Sequence, residues 1–235
     1  MTGIIYLIPN SLGNPDTEQF LPRYCAAVAK EVKYLIVENI RNARRYLKSI
    51  DRDINIDDLT FFELNKHTKP EDIESFLHPA LEGSDTGILS EAGLPGIADP
   101  GARIVEMAHR KGIRVVPLTG PSSLFLALMA SGFNGQSFRF CGYLPVKGNE
   151  RIQSIRQLEK KARTEDESQL FIETPYRNMA MLEDILTTCN EDTGLCIAAD
   201  ITTENEFIKT RTVAGWKKQK PELNKRPVVF ILGRL

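Results

Sequence analysis

Short apolar runs alternate with segments of helical periodicity through the first half of this chain, and this alternation constrains the fold more than any other feature. The apolar runs occupy residues 4–9, 33–38, 60–64, 86–89 and 113–118. The helical segment after the fourth run, DPGARIVEMAHRKG, closes at Gly112, and a glycine often ends a helix. Strands that alternate with helices predict a mostly parallel sheet with helices packed on its faces. We therefore expect an α/β fold for this half.

The second half of the chain has a different pattern. Its strand-like runs are SFRFCGYLP, QLFIET, GLCIAAD, EFIKTRT and RPVVFILG, and its helical segments are NERIQSIRQLEKKAR and PYRNMAMLEDILTTC. We expect the last two strands to be partly antiparallel, which predicts a mixed sheet. The change of pattern falls near residues 119–121. It predicts two closely packed α/β domains, residues 1–119 and 120–235.

The composition argues against several classes of protein. The chain has 235 residues and a formal net charge of −1, so a nucleic-acid or membrane partner would have to be met by a local patch. The first apolar run lacks the basic flank and cleavage site of a signal peptide, and no run is long enough to span a bilayer. The four cysteines form no C-x-x-C pair. We therefore expect reduced thiols, no metal site and a cytoplasmic protein.

Three corners rich in glycine or proline follow strand-like runs, at residues 9–14, 90–96 and 119–123. Ligands of open parallel sheets bind outside the carboxyl ends of the strands, and glycine lets a backbone approach a ligand closely. None of these corners has the glycine pattern of a phosphate-binding loop or a dinucleotide-binding turn. The segment 90–101, SEAGLPGIADPG, contains Glu91 and no Lys or Arg, which favours a polar, neutral or cationic ligand. Taken singly, each corner is also compatible with an ordinary tight turn.

Five segments, taken in order, resemble the tetrapyrrole methylase superfamily, and most of all its branch of 16S ribosomal RNA cytidine 2′-O-methyltransferases. IYLIPNSLGN, LSEAGLPGIADPG and IRVVPLTGPSS correspond to a strand with a T-P-I-G-N turn, to S-D-A-G-T-P-x-I-x-D-P-G and to a strand ending in P-G-P-S-A. FCGYLPVKGNER and LFIETPYRNMAMLEDI correspond to G-F-L-P-x-K and to a strand followed by E-S-x-H-R. The resemblance covers nearly the whole chain. It implies two α/β domains, a cleft between them that binds S-adenosylmethionine in a folded conformation, and a homodimer.

The resemblance also implies a set of cofactor contacts at strand ends and in the three corners. These residues are Pro9, Ser90, Glu91, Gly93, Leu94, Pro95, Ile97, Ser122, Ser123, Tyr143, Leu144, Glu173, Thr174, Asp200 and Pro227. Loop amides and hydroxyls suit the methionine carboxylate and amine, whereas strand ends suit the adenine through backbone hydrogen bonds and apolar contacts. For Ile97 and Leu144 the alternative is a place in the core, and for Ser122 it is an early-helix hydroxyl.

Four side chains are candidates for positioning the acceptor or removing its proton. Glu38 and Arg41 match part of the branch's E-D-T-R motif, and Glu173 and Arg177 match part of E-S-x-H-R. The sulfonium already activates the methyl group, so the enzyme has to align an acceptor oxygen and help to remove its proton. The alternative for each of the four is a surface or interdomain ion pair.

Basic residues cluster locally although the overall charge is close to zero. Arg41, Arg44 and Arg45 have the spacing that places them on one face of a helix, where they can bind phosphates. The run GWKKQK at residues 215–220 is a second basic cluster. For both clusters, a solvated face is the alternative to RNA binding.

The chain departs from the branch's pattern at several positions. Asn39 and Ile40 replace the Asp and Thr of E-D-T-R, whereas Leu94 and Tyr176 replace a Thr and a His. Further changes lie at Glu91, Ala199, Asp200 and residues 225–227. Because most of these side chains are expected to face the acceptor, the acceptor is less constrained by the resemblance than the cofactor is.

The sequence therefore predicts an S-adenosylmethionine-dependent methyltransferase that acts on a ribose 2′-hydroxyl of small-subunit ribosomal RNA. The runner-up is a methyltransferase whose acceptor is a tetrapyrrole or another small molecule, because tetrapyrrole substrates are polyanionic and suit the same arginines. A third hypothesis, from a different class, is a cofactor-binding module that has lost catalysis and acts by binding the ribosome or another partner. We expect no metal and no membrane partner.

Overall fold

The computed structural model describes residues 1–65 and 67–235, which divide into two compact units, Met1–Ser122 and Ser123–Leu235. The sequence analysis places the boundary between residues 119 and 120. Each unit contains a five-stranded sheet among the described residues. The α/β class expected from the sequence is confirmed.

The first unit is built on a parallel sheet. Its strands are β1 (Ile4–Ile8), β2 (Tyr34–Val37), β3 (Thr60–Glu63), β4 (Thr86–Leu89) and β5 (Arg114–Pro117). They lie in the order β3-β2-β4-β1-β5, and each pair of neighbours runs parallel. The parallel sheet that the alternation of strands and helices predicts is therefore confirmed. Since all five strands run in one direction, their carboxyl ends lie at the same edge of the sheet.

Helices cover both faces of the first sheet. They are α1 (Arg23–Glu31), α2 (Ile40–Ile50), α3 (Pro70–Ser75), α4 (His78–Leu81) and α5 (Gly101–Arg110). α1 and α2 bury one face with Leu35 of β2, whereas α3, α4 and α5 bury the other with Ile36. Adjacent residues of a strand point to opposite faces, so one strand serves both cores. β4 lies between β1 and β2 in the sheet, but the helix after it, α5, packs on the face opposite to α1 and α2, the helices that follow β1 and β2. Ligands of parallel sheets bind at the carboxyl ends of strands where the connections change face in this way.

Prolines divide two of the predicted helices. The segment TEQFLPRYCAAVAK has helical periodicity that Pro22 disturbs, and its α-helix begins only after this proline. A 3₁₀ turn at Thr17–Gln19 comes first, and Pro22 is the N-cap of α1. The segment PEDIESFLHPAL, residues 70–81, has helical periodicity throughout and predicts one helix. It forms two short helices, α3 and α4, with Pro79 in the first turn of α4. In both places a helix-interior proline would remove a hydrogen bond and clash with the preceding turn.

The second unit contains the mixed sheet. Its strands are β6 (Phe138–Tyr143), β7 (Ser168–Ile172), β8 (Gly194–Ala199), β9 (Phe207–Thr212) and β10 (Val228–Gly233). They lie in the order β6-β7-β10-β8-β9; β6 and β7 pair in parallel, and the other neighbouring pairs are antiparallel. β9 and β10, expected to be partly antiparallel, each pair antiparallel with β8, which lies between them. The mixed character of this sheet is confirmed.

Four helices of the described chain pack on the second sheet. They are α6 (Ser123–Ser131), α7 (Gly148–Thr164), α8 (Asn178–Thr188) and α9 (Val213–Lys218). α7, α8 and α9 share one core with Trp216, whose indole N–H donates to the carbonyl of Leu195 at 2.8 Å. Phe133, which follows α6, packs on the end of β10, where a Cβ at Gly233 would lie 2.4 Å from its ring. No helix within residues 1–65 and 67–235 combines the length and apolar character needed to cross a membrane.

Candidate functional site

The carboxyl edge of the parallel sheet gathers most of the predicted site residues of the first unit. Pro9, Glu38 and Ser90 directly follow β1, β2 and β4, which are neighbours in the sheet. The predicted residues Glu91, Gly93, Leu94, Pro95 and Ile97 belong to the β4–α5 loop, residues 90–100. Residues that are far apart in the sequence are therefore brought to one edge.

Asn10 ties the end of β1 to the β4–α5 loop. Its side-chain amide donates to the carbonyls of Ser90 at 2.8 Å and Glu91 at 3.1 Å, and its backbone N–H donates to Gly93 at 2.8 Å. Asn10 is buried. The sequence analysis does not select this residue, although an Asn directly after a strand is a recognised signal for side-chain-to-backbone turns. Asn10 therefore holds the backbone of the β4–α5 loop, which carries predicted contact residues, against the end of β1.

Asp99 holds the second half of the same loop. Its Oδ1 accepts hydrogen bonds from the N–H groups of Gly96 and Gly101, each at 2.7 Å. Between these residues Ala98 has a φ of +59°, a backbone conformation that residues with a side chain rarely adopt. The loop is therefore fixed in a strained form before any ligand binds. Asp99 is a second residue that the sequence analysis does not select.

Exposure differs among the predicted contact residues of the loop. Ile97 is 51% exposed, so the alternative that it belongs to the core is wrong. Pro95 is buried, and Leu94 is half-buried. Gly93 is buried with a φ of +67°, and a Cβ there would lie 3.2 Å from the side chain of Leu12. The loop thus places a side-chain-free position next to residues that solvent or a ligand can reach.

The edge is acidic. Glu38 and Asp99 line a small, partly open pocket. Burial raises the pKa of Glu38, and the charges of Asp99 and Glu91 raise it further, against a hydrogen bond from the Glu91 backbone. Burial also raises the pKa of Asp99 in spite of its two N–H donors. Within the described ranges no Lys or Arg forms an ion pair with any of these three carboxylates.

The first turns of α2 contact the same edge. Asn39 is the N-cap of α2 and accepts from the N–H of Asn42 at 3.1 Å, a role for which Asn and Asp are both favoured. The side-chain amide of Asn42 donates to Oε2 of Glu91 at 2.5 Å. One turn later the hydroxyl of Tyr46 donates to the carbonyl of Pro9 at 2.7 Å. No sequence motif marks Asn42 or Tyr46 for these contacts.

The corner after β5 packs directly on the end of β1. A Cβ at Gly120 would lie 2.1 Å from Cβ of Pro9, so this close approach requires a glycine. Ser122 is the last residue of the first unit, and Ser123 begins α6 in the second. Both serines are half-buried. For Ser122 the sequence leaves open a place early in a helix. In the structure the helix begins one residue later, at Ser123.

The second unit also gathers its predicted residues at one edge of its sheet. β6, β7 and β8 end at this edge, and β9 and β10, which run in the opposite direction, begin there. The predicted residues at these strand ends are Tyr143, Leu144, Glu173, Thr174, Arg177, Asp200 and Pro227. Tyr143 is exposed, whereas Leu144 is buried in the core of the unit, as its alternative interpretation has it.

Glu173 forms an ion pair from a fully buried position. Its Oε1 accepts hydrogen bonds from the Thr174 N–H at 2.6 Å and from Nε of Arg177 at 3.1 Å, and its side chain has no exposed surface. Nε of Arg177 also lies 3.2 Å from the hydroxyl of Thr174. Oε2 of Glu173 is buried without a hydrogen-bond partner among the described residues. An unpaired buried acceptor costs free energy, so this oxygen marks a position for a donor.

A second ion pair joins two positions at which the chain departs from the family's pattern. Nε of Arg226 lies 2.5 Å from Oδ2 of Asp200, and Nη2 donates to the carbonyl of Asn205 at 2.7 Å. The guanidinium also lies 5.9 Å from the ring centre of Phe207. Asp200 has a left-handed φ of +48°. The changes at residues 200 and 226 are therefore partners in one contact, which only the folded chain reveals.

The family model for tetrapyrrole (corrin/porphyrin) methylases matches residues 24–215, well over half of the chain. The chain belongs to this family. One curated relative, ribosomal RNA small subunit methyltransferase I of Leptospira borgpetersenii serovar Hardjo-bovis, is 33% identical over 214 residues, or 88% of this chain and 78% of the relative. The protein of the same name from Buchnera aphidicola (subspecies Schizaphis graminum) is 28% identical over 234 residues, covering 98% and 78%.

Solved structures of other methyltransferases share the fold. The methyltransferase CobJ superposes with a TM-score of 0.64 at 17% identity, over 100% of this chain and 95% of its own. The uroporphyrin-III-C-methyltransferase of Thermus thermophilus gives a TM-score of 0.57 at 18% identity, over 100% and 93%. At these identities the likeness concerns the fold alone.

As a tetrapyrrole methylase, the protein is a methyltransferase that uses S-adenosylmethionine as its methyl donor. Groups in each unit, taken separately, suit parts of this molecule. Its sulfonium and ammonium groups are positive, and the first edge presents Glu38, Glu91 and Asp99 without an ion-paired cation in the described chain. Its amine and hydroxyl groups are donors of the kind that the unpaired Oε2 of Glu173 lacks. No group of three or more His, Cys, Asp or Glu side chains in the described residues is arranged to hold a metal ion.

Proposed function

We propose that this methyltransferase modifies a ribose 2′-hydroxyl of small-subunit ribosomal RNA. The observation that carries the proposal is the placement of α2: a helix with three exposed arginines begins directly behind Glu38, at the edge that holds the β4–α5 loop. A surface that binds phosphates thus adjoins the predicted cofactor residues. The names of the curated relatives, ribosomal RNA small subunit methyltransferases, point to the same substrate class.

The arginines of α2 are free to bind phosphates. The side chains of Arg41 and Arg45 form no ion pair or hydrogen bond with described residues. Arg44 lies over the ring of Phe61 with its guanidinium 5.5 Å from the ring centre. α2 contains no acidic residue. An arginine without an acidic partner need not break an existing contact before it binds a phosphate.

Two lysines of GWKKQK, unlike the arginines of α2, form ion pairs with acidic side chains. Lys217 pairs with Glu191, and Lys220 pairs with Glu183 at 2.6 Å. These acidic partners cancel much of the charge that RNA would meet. We therefore assign the RNA contact to α2 and interpret residues 215–220 as a solvated face.

Glu38 is the proposed proton acceptor. When bound, the cofactor supplies a methyl group made electrophilic by its sulfonium. The acceptor hydroxyl has to lose a proton as its oxygen is methylated, and a carboxylate with a raised pKa accepts that proton more readily than an ordinary glutamate does. Glu38 combines the raised pKa with a position on an open cavity. Arg41, in the first turn of α2, would then hold the phosphate next to the reacting ribose.

Glu173 and Arg177 take positioning roles in this proposal. Arg177 already engages one oxygen of Glu173, and the carboxylate is enclosed, so Glu173 is poorly placed to exchange a proton with a substrate. Its unpaired oxygen instead suits a donor group of the cofactor. The residues that we propose for cofactor binding at the two edges are Pro9, Ser90, Glu91, Gly93, Leu94, Pro95, Ile97, Ser122, Ser123, Tyr143, Glu173, Thr174, Asp200 and Pro227. Leu144 joins them through its backbone, because its side chain lies in the core.

We also propose that the protein is a homodimer. Phe125 and Met129 of α6 and Phe138 of the edge strand β6 are large apolar side chains that are 52%, 79% and 40% exposed. The rings of Phe125 and Phe138 meet edge to face at 5.8 Å, which makes the patch continuous. Exposed apolar patches commonly mark protein interfaces. Light scattering should give twice the chain mass for the natural protein and the chain mass for Met129→Asp.

The function is tested by transfer of a radiolabelled methyl group from the cofactor to purified small ribosomal subunits that lack their native modifications, with calorimetry of cofactor binding in parallel. Label in ribosomal RNA is the expected result. Cofactor binding without label in RNA would contradict the RNA substrate and favour a tetrapyrrole acceptor, which a change in visible absorbance on mixing would reveal. Cofactor binding with no acceptor of either kind would favour a module without catalytic activity.

A further inference from the structure

α2 contacts both segments that carry the predicted cofactor residues of the first unit. Asn42 donates to the carboxylate of Glu91 at 2.5 Å, and Tyr46 donates to the carbonyl of Pro9 at 2.7 Å. The two donors are four residues apart and therefore lie on one face of the helix. The helix that carries the arginines is thus bonded to the end of β1 and to the β4–α5 loop.

The two bonds differ in character. Tyr46 is buried, and burial raises the pKa of its phenol, so it remains a hydrogen-bond donor throughout the physiological range. It anchors the helix to the backbone of β1. Asn42 and Glu91 are both exposed, and their bond joins two side chains, so it can form or break with small movements. The Tyr46 contact is a fixed pivot, whereas the Asn42 contact is adjustable.

The exposed arginines lie next to these donors in the helix. Arg41 precedes Asn42 and Arg45 precedes Tyr46, and neither arginine has an ion-pair partner among the residues that the structure describes. A phosphate bound by these arginines would therefore hold the turn of α2 from which Asn42 reaches Glu91. Any adjustment of that turn changes where the Glu91 carboxylate is held.

We propose that Asn42 is a positioning residue that couples RNA binding at α2 to cofactor binding at the β4–α5 loop, with Tyr46 as its pivot. The proposal rests on the function proposed above. Coupling between two binding sites is reciprocal, so RNA should raise cofactor affinity by the same factor by which the cofactor raises RNA affinity. Because the coupling bond is a single exposed contact, we expect a factor of about five, at the low end of the usual range.

The test measures binding of S-adenosylhomocysteine, which has no methyl group to transfer, by calorimetry with and without purified small ribosomal subunits. In the natural protein the subunits should tighten binding about fivefold. In Asn42→Ala the enhancement by RNA should disappear. Asn42→Asp, which suits the first turn of a helix but places a second carboxylate against Glu91, should also abolish the enhancement.

Ser49→Ala is the matched control. Ser49 lies on the same helix, and its hydroxyl donates to the carbonyl of Tyr46 at 2.7 Å without touching either cofactor segment. The RNA enhancement should survive this change. An enhancement that persists unchanged in Asn42→Ala, or that is absent from the natural protein although it binds both ligands, would overturn the coupling alone. Failure of the natural protein to bind the subunits at all would overturn the proposed function instead.

Discussion

The two sheet edges that carry the predicted site residues handle charge in opposite ways. At the first edge, Glu38, Glu91 and Asp99 have no cationic partner in the described chain, and the pKa of Glu38 is raised. At the second edge, Glu173 is paired with Arg177 and Asp200 with Arg226. Unpaired carboxylates can bind a positive ligand or take up a proton, whereas paired ones hold their surroundings in place. In our proposal the chemistry therefore takes place at the first edge, and the second edge supports it.

Substitutions at the two edges should differ most in their effect on the rate of methyl transfer. Glu38→Gln keeps the size of the side chain but removes the base, so the single-turnover rate should fall about a thousandfold, within the range for a general base. Glu173→Gln retains an acceptor for Arg177 and should lose less than about tenfold, or 1.4 kcal/mol of barrier. A larger loss in Glu173→Gln than in Glu38→Gln would reverse the assignment of the two edges.

The glycine of the β4–α5 loop tests the first edge as a cofactor site. Gly93→Val places a side chain where Leu12 and the carbonyl of Pro121 are 3.2 and 3.4 Å from Cβ, and it should block close approach of the cofactor. We expect the dissociation constant for S-adenosylmethionine to rise at least about thirtyfold, or 2 kcal/mol.

Gly112→Val provides the control for backbone strain. Gly112 has a φ of +70°, close to the +67° of Gly93, but nothing lies within 4 Å of a Cβ there. Both variants pay a similar penalty for the left-handed backbone, and Gly93→Val adds the close contact with Leu12, so its thermal unfolding should shift at least as far as that of Gly112→Val. Equal cofactor affinities in the two folded variants would remove Gly93 from the site.

The basic clusters of the two units should differ in their response to salt. Replacing Arg41, Arg44 and Arg45 together by Ala should weaken RNA binding and lower the slope of log affinity against log salt by about 2, at roughly 0.7 for each single-strand phosphate contact. Replacing Lys217, Lys218 and Lys220 together should leave the slope nearly unchanged, because two of these lysines are already paired. Filter binding over a salt series distinguishes the clusters, and equal slopes would contradict the contrast.

Substitution of Glu173 and substitution of Glu38 should change the free energy of unfolding in opposite directions. Glu173→Ala leaves Arg177 without its partner and should lower the free energy of unfolding by about 2 kcal/mol, less than for a fully buried pair because Arg177 is partly exposed. The pKa of Glu38 is raised in the folded protein, so its contribution to stability is present at low pH and is lost as the pH rises through that value. Glu38→Gln should therefore be more stable than the natural protein at pH 8, by a smaller amount. The free energy of unfolding of both variants is measured with denaturant at pH 5 and pH 8. Destabilisation of both variants at pH 8 would contradict the prediction for Glu38.

The sequence predicts the parts of this protein that depend on local pattern. The alternation of apolar runs and helical segments gives the parallel sheet, and the glycine-rich corners follow its strands because a chain that turns at a strand end needs them. The positions of Pro9, Glu38 and Ser90 at one edge then follow from parallel strand direction alone. The prolines at 22 and 79 limit the accuracy of helix boundaries.

The rest depends on contacts between residues that are distant in the sequence. Glu38 and Glu173 each follow a strand, and only the surroundings in the fold leave one unpaired and enclose the other. The partnership of Asp200 with Arg226 spans two strands, so the sequence shows two separate departures where the structure shows one contact. Asn42 belongs to no motif, and its role rests on where Glu91 lies in space. Such pairings require the folded chain.

The chemical position of the transferred methyl group shows whether the acceptor is a ribose hydroxyl. Small subunits labelled by the protein would be digested with alkali, which cleaves RNA through the free 2′-hydroxyl and therefore spares a linkage whose 2′-oxygen is methylated. The account predicts that the label appears in an alkali-stable dinucleotide. Label in mononucleotides would mean that a base is the acceptor, and it would contradict the assignment of Glu38 as the group that deprotonates a ribose.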